Sequence, residues 1–87
     1  MKVSVEISKY PLTKDYLEPI QNFIDQLHTY PDIKVETNTM STQIFGEYDL
    51  VMRALQACIK QSFIDDSKTV FSMKILNADL DPEAPQF

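Results

Sequence analysis

The chain holds one glycine (Gly46), one cysteine (Cys58), one arginine (Arg53) and no tryptophan. A single glycine cannot build the glycine-rich loops that cradle phosphate in dinucleotide and P-loop sites. A single cysteine excludes an intrachain disulfide and any multi-thiolate metal centre, a copper chaperone's included; a reducing cytoplasm is the simplest home. Basic residues are also scarce, 8 Lys and Arg against 13 Asp and Glu, for a net charge of −5. That balance repels a nucleic-acid backbone and favours a small cation. No apolar run approaches the ~20 residues a membrane helix needs, so no membrane partner is expected. The opening run Met1-Lys2-Val3-Ser4-Val5-Glu6 has no basic region followed by an apolar one, and no signal peptide is expected.

What is present is periodic. Val3, Val5 and Ile7 alternate with Ser4, Glu6 and Ser8, the pattern of a half-buried strand that ends at Tyr10. Leu17, Ile20, Ile24 and Leu27 then fall at helical spacing, with Phe23 and Tyr30 widening the stripe. Asp15 is the expected N-cap, Glu18 completes a capping-box-like start, Pro19 falls in the first turn or just past it, and Pro31 stops the helix. Ile33, Val35 and Thr37 mark a second strand; Thr42, Ile44 and Gly46 mark a third. The connection lacks glycine and proline, which points to an Asx turn from Asn38. A second helix is expected from an N-cap near Asp49, with Val51, Leu55, Cys58, Ile59 and Ser62 on one side. Asp65 to Lys68 reads as a polar loop, and Phe71, Met73 and Ile75 as a fourth strand.

The order β-α-β-β-α-β with right-handed crossovers gives an α+β, ferredoxin-like domain: a four-stranded antiparallel sheet with both helices on one face. Residues 1–79 form that domain. Residues 80–87, with Pro82 and Pro85, form an irregular acidic tail, frayed or draped on a neighbour. The sheet's other face carries Ser4, Glu6, Ser8, Tyr10, Lys34, Glu36, Asn38, Gln43, Phe45, Glu47, Val70, Ser72, Lys74 and Leu76. Hydroxyls, carboxylates and large apolar groups together suit a face that meets a second subunit or cups a small polar ligand. A wet face with scattered apolar residues is the plainer alternative.

The run Met40-Ser41-Thr42-Gln43-Ile44-Phe45-Gly46-Glu47-Tyr48-Asp49-Leu50-Val51-Met52 resembles the signature of the YkoF-like thiamine/hydroxymethylpyrimidine-binding family. Ser8-Lys9-Tyr10-Pro11-Leu12, Leu17-Glu18-Pro19-Ile20 and Val35-Glu36-Thr37-Asn38 are similar to other pieces of it, and the resemblance reaches to about Asp79. It implies a ferredoxin-like domain that pairs through its sheet, here as a homodimer or homotetramer. It also implies a protein that binds thiamine or its pyrimidine precursor without catalysis and without a cofactor.

On that resemblance the ligand positions are Ser8, Tyr10, Asn38, Met40, Ser41, Thr42, Gln43, Phe45 and Glu47. Asn38 and Gln43 offer amide donors and acceptors to an aminopyrimidine, and Ser8, Ser41 and Thr42 offer hydroxyls. Tyr10, Met40 and Phe45 offer surfaces for a flat ring, while Glu6, Glu36 or Glu47 could face a thiazolium cation. Met40, at the hairpin tip, either meets a ligand or partner or folds back over the hairpin.

Other residues read as structural. His28 and Asp25 lie off the apolar stripe on a solvated helix face, Cys58 is a small core residue, and Asp65-Asp66 is a loop, not a metal site. The competing function is a regulatory or assembly domain that binds an amino acid or nothing. An RNA-recognition module lacks aromatics on the first strand. An acyl-phosphate hydrolase lacks an arginine and a phosphate loop in the right place.

Overall fold

A computed structural model describes residues 1–83. The elements are β1 (Lys2–Pro11), α1 (Leu17–Leu27), β2 (Lys34–Thr37), β3 (Thr42–Glu47), α2 (Tyr48–Asp65) and β4 (Thr69–Leu76). The strands lie in the order β2-β3-β1-β4, and all three pairings are antiparallel. Thus α1 carries the chain from β1 past β3 to β2, and α2 carries it from β3 past β1 to β4. This is the ferredoxin-like arrangement that the periodicity predicts. The tail expected over 80–87 is described only to residue 83; residues 84–87 lie outside the described residues.

The core forms where the two periods meet. Val3, Val5 and Ile7 project from β1 and Ile44 from β3, onto Phe23 and Leu27 of α1 and Val51, Ala54, Leu55 and Cys58 of α2. Gly46 is fixed by close approach: a β-carbon there would stand 3.3 Å from Val51 Cγ2. Cys58 is fully buried, and burial pushes its thiol up to about 11.

Several element boundaries differ from those expected. Tyr16, not Asp15, occupies the N-cap position of α1, with no side-chain cap. Pro19 sits in the first turn, where its missing N–H costs no helical bond. Leu17 is 71% exposed and Phe23 is buried, so the core stripe is centred on Phe23 and Leu27. The helix ends at Leu27, ahead of Pro31. His28 N–H donates to Ile24 O at 3.1 Å, Thr29 N–H to Gln26 O at 3.1 Å, and the Thr29 hydroxyl to Gln26 O at 2.7 Å. Tyr30 therefore lies beyond the helix, packed against the core from a turn. Asp25 accepts a bond from Gln21 Nε2 at 2.8 Å on the exposed helix face.

Glu47, not Asp49, is the N-cap residue of α2. The helix starts straight out of β3, and Tyr48 N–H donates to Met1 O at 2.9 Å. Asp49 lies in the first turn, where the helix dipole favours a carboxylate. The hairpin between β2 and β3 closes on the expected Asx turn. Asn38 Oδ1 accepts the N–H groups of Met40 at 2.8 Å and Ser41 at 3.0 Å, and Asn38 N–H donates to Ser41 O at 3.1 Å.

The larger departure is at Asp65-Asp66, expected as part of a polar loop. Asp65 ends α2, and Asp66 pairs with a buried lysine. Alternation along β1 places Lys9 on the core face, only 7% exposed. Its ammonium meets Asp66 Oδ2 at 2.8 Å and donates to Pro19 O at 2.8 Å and Ser62 Oγ at 3.0 Å. Two hydrogen bonds and one opposite charge thus compensate the buried ammonium. The Phe23 ring centroid lies 5.8 Å away, within reach of cation–π attraction. Phe23 packs in turn at a tilt against Phe71 of β4, at 4.9 Å between centroids.

Removing one partner of a buried ion pair leaves the other charge uncompensated. Lys9→Ala should therefore destabilise the domain by about 3 kcal/mol, lowering the thermal midpoint by at least ~10 °C at ~4–8 °C per kcal/mol. A calorimetric scan reads this directly. Cys58, buried and held protonated, should not react with a thiol reagent at neutral pH until denaturant is added; colorimetric thiol titration checks it.

Candidate functional site

Two concavities hold most of the nominated residues. The first, about 560 Å³, opens between α1, the end of β1 and the β2–β3 hairpin. Six nominated residues line it: Ser8, Tyr10, Asn38, Met40, Ser41 and Thr42. They come from two segments some thirty residues apart (about 30 positions in the chain; roughly 100 Å if extended). Antiparallel pairing of Ile7 with Thr42 brings the segments together.

Its wall on the α1 side is apolar: Tyr16, Ile20, Phe23 and Ile24, with Pro11 and Leu12 from the end of β1. The sequence pattern assigned Ile20 and Ile24 to the core and Tyr16 to no role. A signal was available, since Tyr10, Leu12 and Tyr16 cluster ahead of the helix, and each is more than half exposed. The opposite wall is polar. Thr42 is buried, with its hydroxyl 3.3 Å from that of Thr37. The Ser41 hydroxyl donates to Glu6 Oε2 at 3.1 Å, which brings a carboxylate to the hairpin. Met40 is 85% exposed; it stands out from the hairpin and does not fold back over it.

Asn38 is constrained by its turn. Because Oδ1 already accepts two backbone N–H groups, the Nδ2 donor is what Asn38 can offer a ligand.

The second concavity, about 650 Å³, lies on the other face of the sheet. It holds Gln43 and Phe45, with Ser4, Glu6, Lys74, Leu76 and Leu80. Glu47 joins neither. It pairs with Lys2 at the far end of β3, five residues or roughly 16 Å from Thr42 at ~3.3 Å per residue. There its carboxylate accepts the N-terminal ammonium at 3.0 Å, which holds it below the usual carboxylate range.

The face expected to be open is partly covered by the chain itself. After β4, residues 77–83 turn back across the sheet. Ser4 Oγ donates to Ala78 O at 2.7 Å and accepts Leu80 N–H at 2.8 Å. Further on, Lys34 Nζ meets Asp81 Oδ1 at 2.7 Å and Glu83 Oε2 at 3.2 Å, with Glu36 Oε1 at 3.3 Å. Under this strap Ser4 and Phe45 are each only 7% exposed. The hydrogen bond from Lys34 is the main cause holding the Asp81 carboxyl below its ordinary value. The same bond leads those that raise Lys34.

Among the described residues no group of three or more His, Cys, Asp or Glu is placed to hold a metal ion. No described helix is long and apolar enough to cross a membrane.

A βαββαβ domain with a half-apolar cleft beside its hairpin defines a class, and the chain's relatives narrow it. The chain belongs to the YKOF-related family, whose model matches residues 2–76. No curated protein matches it. Among solved structures it is similar to a hypothetical protein of Methanocaldococcus jannascii, with 30% identity over 92% of this chain and 84% of that one, at a TM-score of 0.76. It is also similar in fold to a Thermotoga maritima protein whose name assigns it provisionally to thiamine biosynthesis/salvage. There the identity is 20% over 99% of this chain and 90% of that one, at a TM-score of 0.78. A de novo designed protein shares the fold at 8% identity, with a TM-score of 0.61 over 90% of this chain and 99% of that one.

A carboxylate with a depressed pKa contributes stability that is present above its unpaired value and lost as pH falls through the depressed one. Docking of the strap should therefore hold at neutral pH, begin to weaken near pH 4, the ordinary range of an unpaired carboxyl, and be lost only at lower pH, as Asp81 protonates. An NMR pH titration of the Ser4 and Leu80 amides reads it. Lys34→Ala should release the same contacts at neutral pH and speed hydrogen exchange at Leu80.

Proposed function

We propose that the cleft between α1 and the β2–β3 hairpin binds thiamine or its hydroxymethylpyrimidine half, without catalysis, in a homo-oligomer. The observation that carries this reading is the composition of the cleft. A wall of Tyr16, Ile20, Phe23 and Ile24 faces a rim with the hydroxyls of Ser8, Ser41 and Thr42 and the amide of Asn38. A flat heterocycle needs that combination: apolar surface against its faces and a few fixed polar groups at its edge. Tyr10, Tyr16 and Met40 are the ring-contacting candidates, and Asn38 Nδ2 and Thr42 Oγ1 the edge-reading ones. Glu6, tied to Ser41, supplies negative charge for a thiazolium, in a chain whose net charge of −5 already favours a cation. Membership of the YKOF-related family and the name of the Thermotoga maritima neighbour support the choice of ligand. Gln43, Phe45 and Glu47 lie outside this cleft and enter the proposal only through the opposite face or a partner subunit.

Thermal melts with thiamine, hydroxymethylpyrimidine and an amino-acid panel test it. Ligand at 100 times its dissociation constant adds ~2.7 kcal/mol, a rise of ~10–20 °C at ~4–8 °C per kcal/mol. Thr42→Val keeps the shape and removes the hydroxyl, and Tyr10→Ala removes a ring surface; each should weaken binding at least ~10-fold, the equivalent of ~1.4 kcal/mol, by calorimetric titration. Asn38→Ala is a poor probe because it also removes the turn. Melts that stay flat with thiamine and hydroxymethylpyrimidine overturn the proposal. A shift with an amino acid alone, or with nothing, favours a regulatory or assembly domain.

A further inference from the structure

The second concavity, on the strap-covered face, is built from two adjacent rows of cross-strand neighbours. One row runs Gln43–Glu6–Lys74 and the next Phe45–Ser4–Leu76, on β3, β1 and β4. The first row is polar and charged. The second is apolar at both ends with a small serine in the middle, which leaves a hollow between Phe45 and Leu76. The strap closes a third side with Leu80, held there by its N–H on Ser4 Oγ. β4 is an exposed edge of the sheet. Leu76 is still 46% exposed and Leu80 51%, so the strap covers Phe45 without filling the hollow beside it.

The charges of the polar row do not meet. Glu6 and Lys74 stand directly opposite one another, where β-carbons lie ~4.5–5.5 Å apart and opposite charges favour pairing. Among the described residues no ion pair joins them, and no hydrogen bond engages the Lys74 ammonium. Glu6 turns instead to Ser41 through Oε2. Its Oε1 and the Gln43 amide are likewise unengaged among the described residues. A cation and an anion held apart beside an apolar hollow are complementary to a molecule that carries both charges and an apolar group.

We infer that this concavity is a second binding site, for an α-amino acid with an apolar side chain. Its carboxylate meets Lys74, and its ammonium meets Glu6 and the Gln43 carbonyl. Its side chain enters the hollow between Phe45, Leu76 and Leu80. The spacing suits that size. Rows two residues apart along a strand are separated by ~6.6 Å, at ~3.3 Å per residue, so an amino acid seated on the first row lays its side chain over the second. Unlike charges also select. A simple acid sets its carboxylate beside Glu6, and a simple cation meets Lys74, so each carries a repulsive contact that a zwitterion avoids.

This site does not rest on the reading of the cleft. The two meet only through Glu6, whose carboxylate reaches Ser41 at the cleft's rim. Lys74 and Leu76 lie outside the cleft, and Lys74 is exposed, so it can be changed without disturbing the core.

An NMR titration of the full chain with leucine should move the amides of Gln43, Lys74, Leu76 and Leu80 saturably. Lys74→Met should weaken leucine at least ~10-fold, as expected for a lost hydrogen bond to a charged group. Leucinamide, which has no carboxylate, should bind the wild type and Lys74→Met equally and weakly. Glutamate and 4-methylpentanoate should leave the four amides unmoved. The inference is overturned by leucine shifts that are absent or confined to Asn38 and Ser41, or by equal leucine affinity in Lys74→Met. If Lys74→Met instead changes the sedimentation mass, the face belongs to a second copy. Thiamine melts are read separately. Flat melts with Lys74-dependent leucine binding reject the cleft's ligand and keep this site; thiamine shifts with no leucine response do the reverse.

Discussion

A buried ammonium organises this molecule. Lys9 sits where alternation along β1 calls for a core residue, and a charge there is costly unless it is paired and hydrogen-bonded. The matching partners are Pro19 O in the first turn of α1, Ser62 near the end of α2, and Asp66 at the corner before β4. Those acceptors belong to two regions of the chain, Pro19 in α1 and the Ser62–Asp66 end of α2, so satisfying Lys9 draws both helices against the end of β1. Phe23 lies over the ammonium and against Phe71, which ties the aromatic packing to the same point. The cleft opens beside this junction, and Lys9 and Phe23 both line it. Its apolar wall is therefore set by the position of α1, which the lysine fixes, and its polar rim by a hairpin that Asn38 closes.

The two faces of the sheet are handled differently. The helices bury one. The chain's own strap occupies much of the other, through a serine that both donates and accepts and a lysine that gathers three carboxylates. Phe45, unexpected on a solvated face, is explained by that cover. Charge thus has a local use beyond solubility, because part of the chain's acidity lies in the strap and is matched by Lys34 across the sheet.

Fold alone says little about activity here. A designed protein shares this architecture at 8% identity, and the same layered arrangement supports unrelated functions. The family membership and the cleft are separate facts that point the same way. The residues nominated by resemblance also divide by place. Six share one cleft, two lie on the strap-covered face, and Glu47 is engaged by the N-terminal ammonium at the opposite end of the strand.

Local periodicity determined the element order and the core faces of both central strands, because a two-residue repeat and a helical repeat in one short chain leave few ways to bury the apolar set. It also determined the Asx turn, since Asn38 is the residue there best able to satisfy its own backbone. Helix boundaries were less legible, because Tyr16 and Glu47 start helices with no side-chain cap and depend on packing and backbone contacts instead. Tertiary structure alone decided what a pattern of single residues cannot express. The partners of Lys9, the cover over Ser4 and Phe45, the exposed edge of β4 and the meeting of Ser8 and Tyr10 with Asn38 to Thr42 all depend on segments far apart in the chain. Such contacts are set by where strands pair, and no local repeat records that.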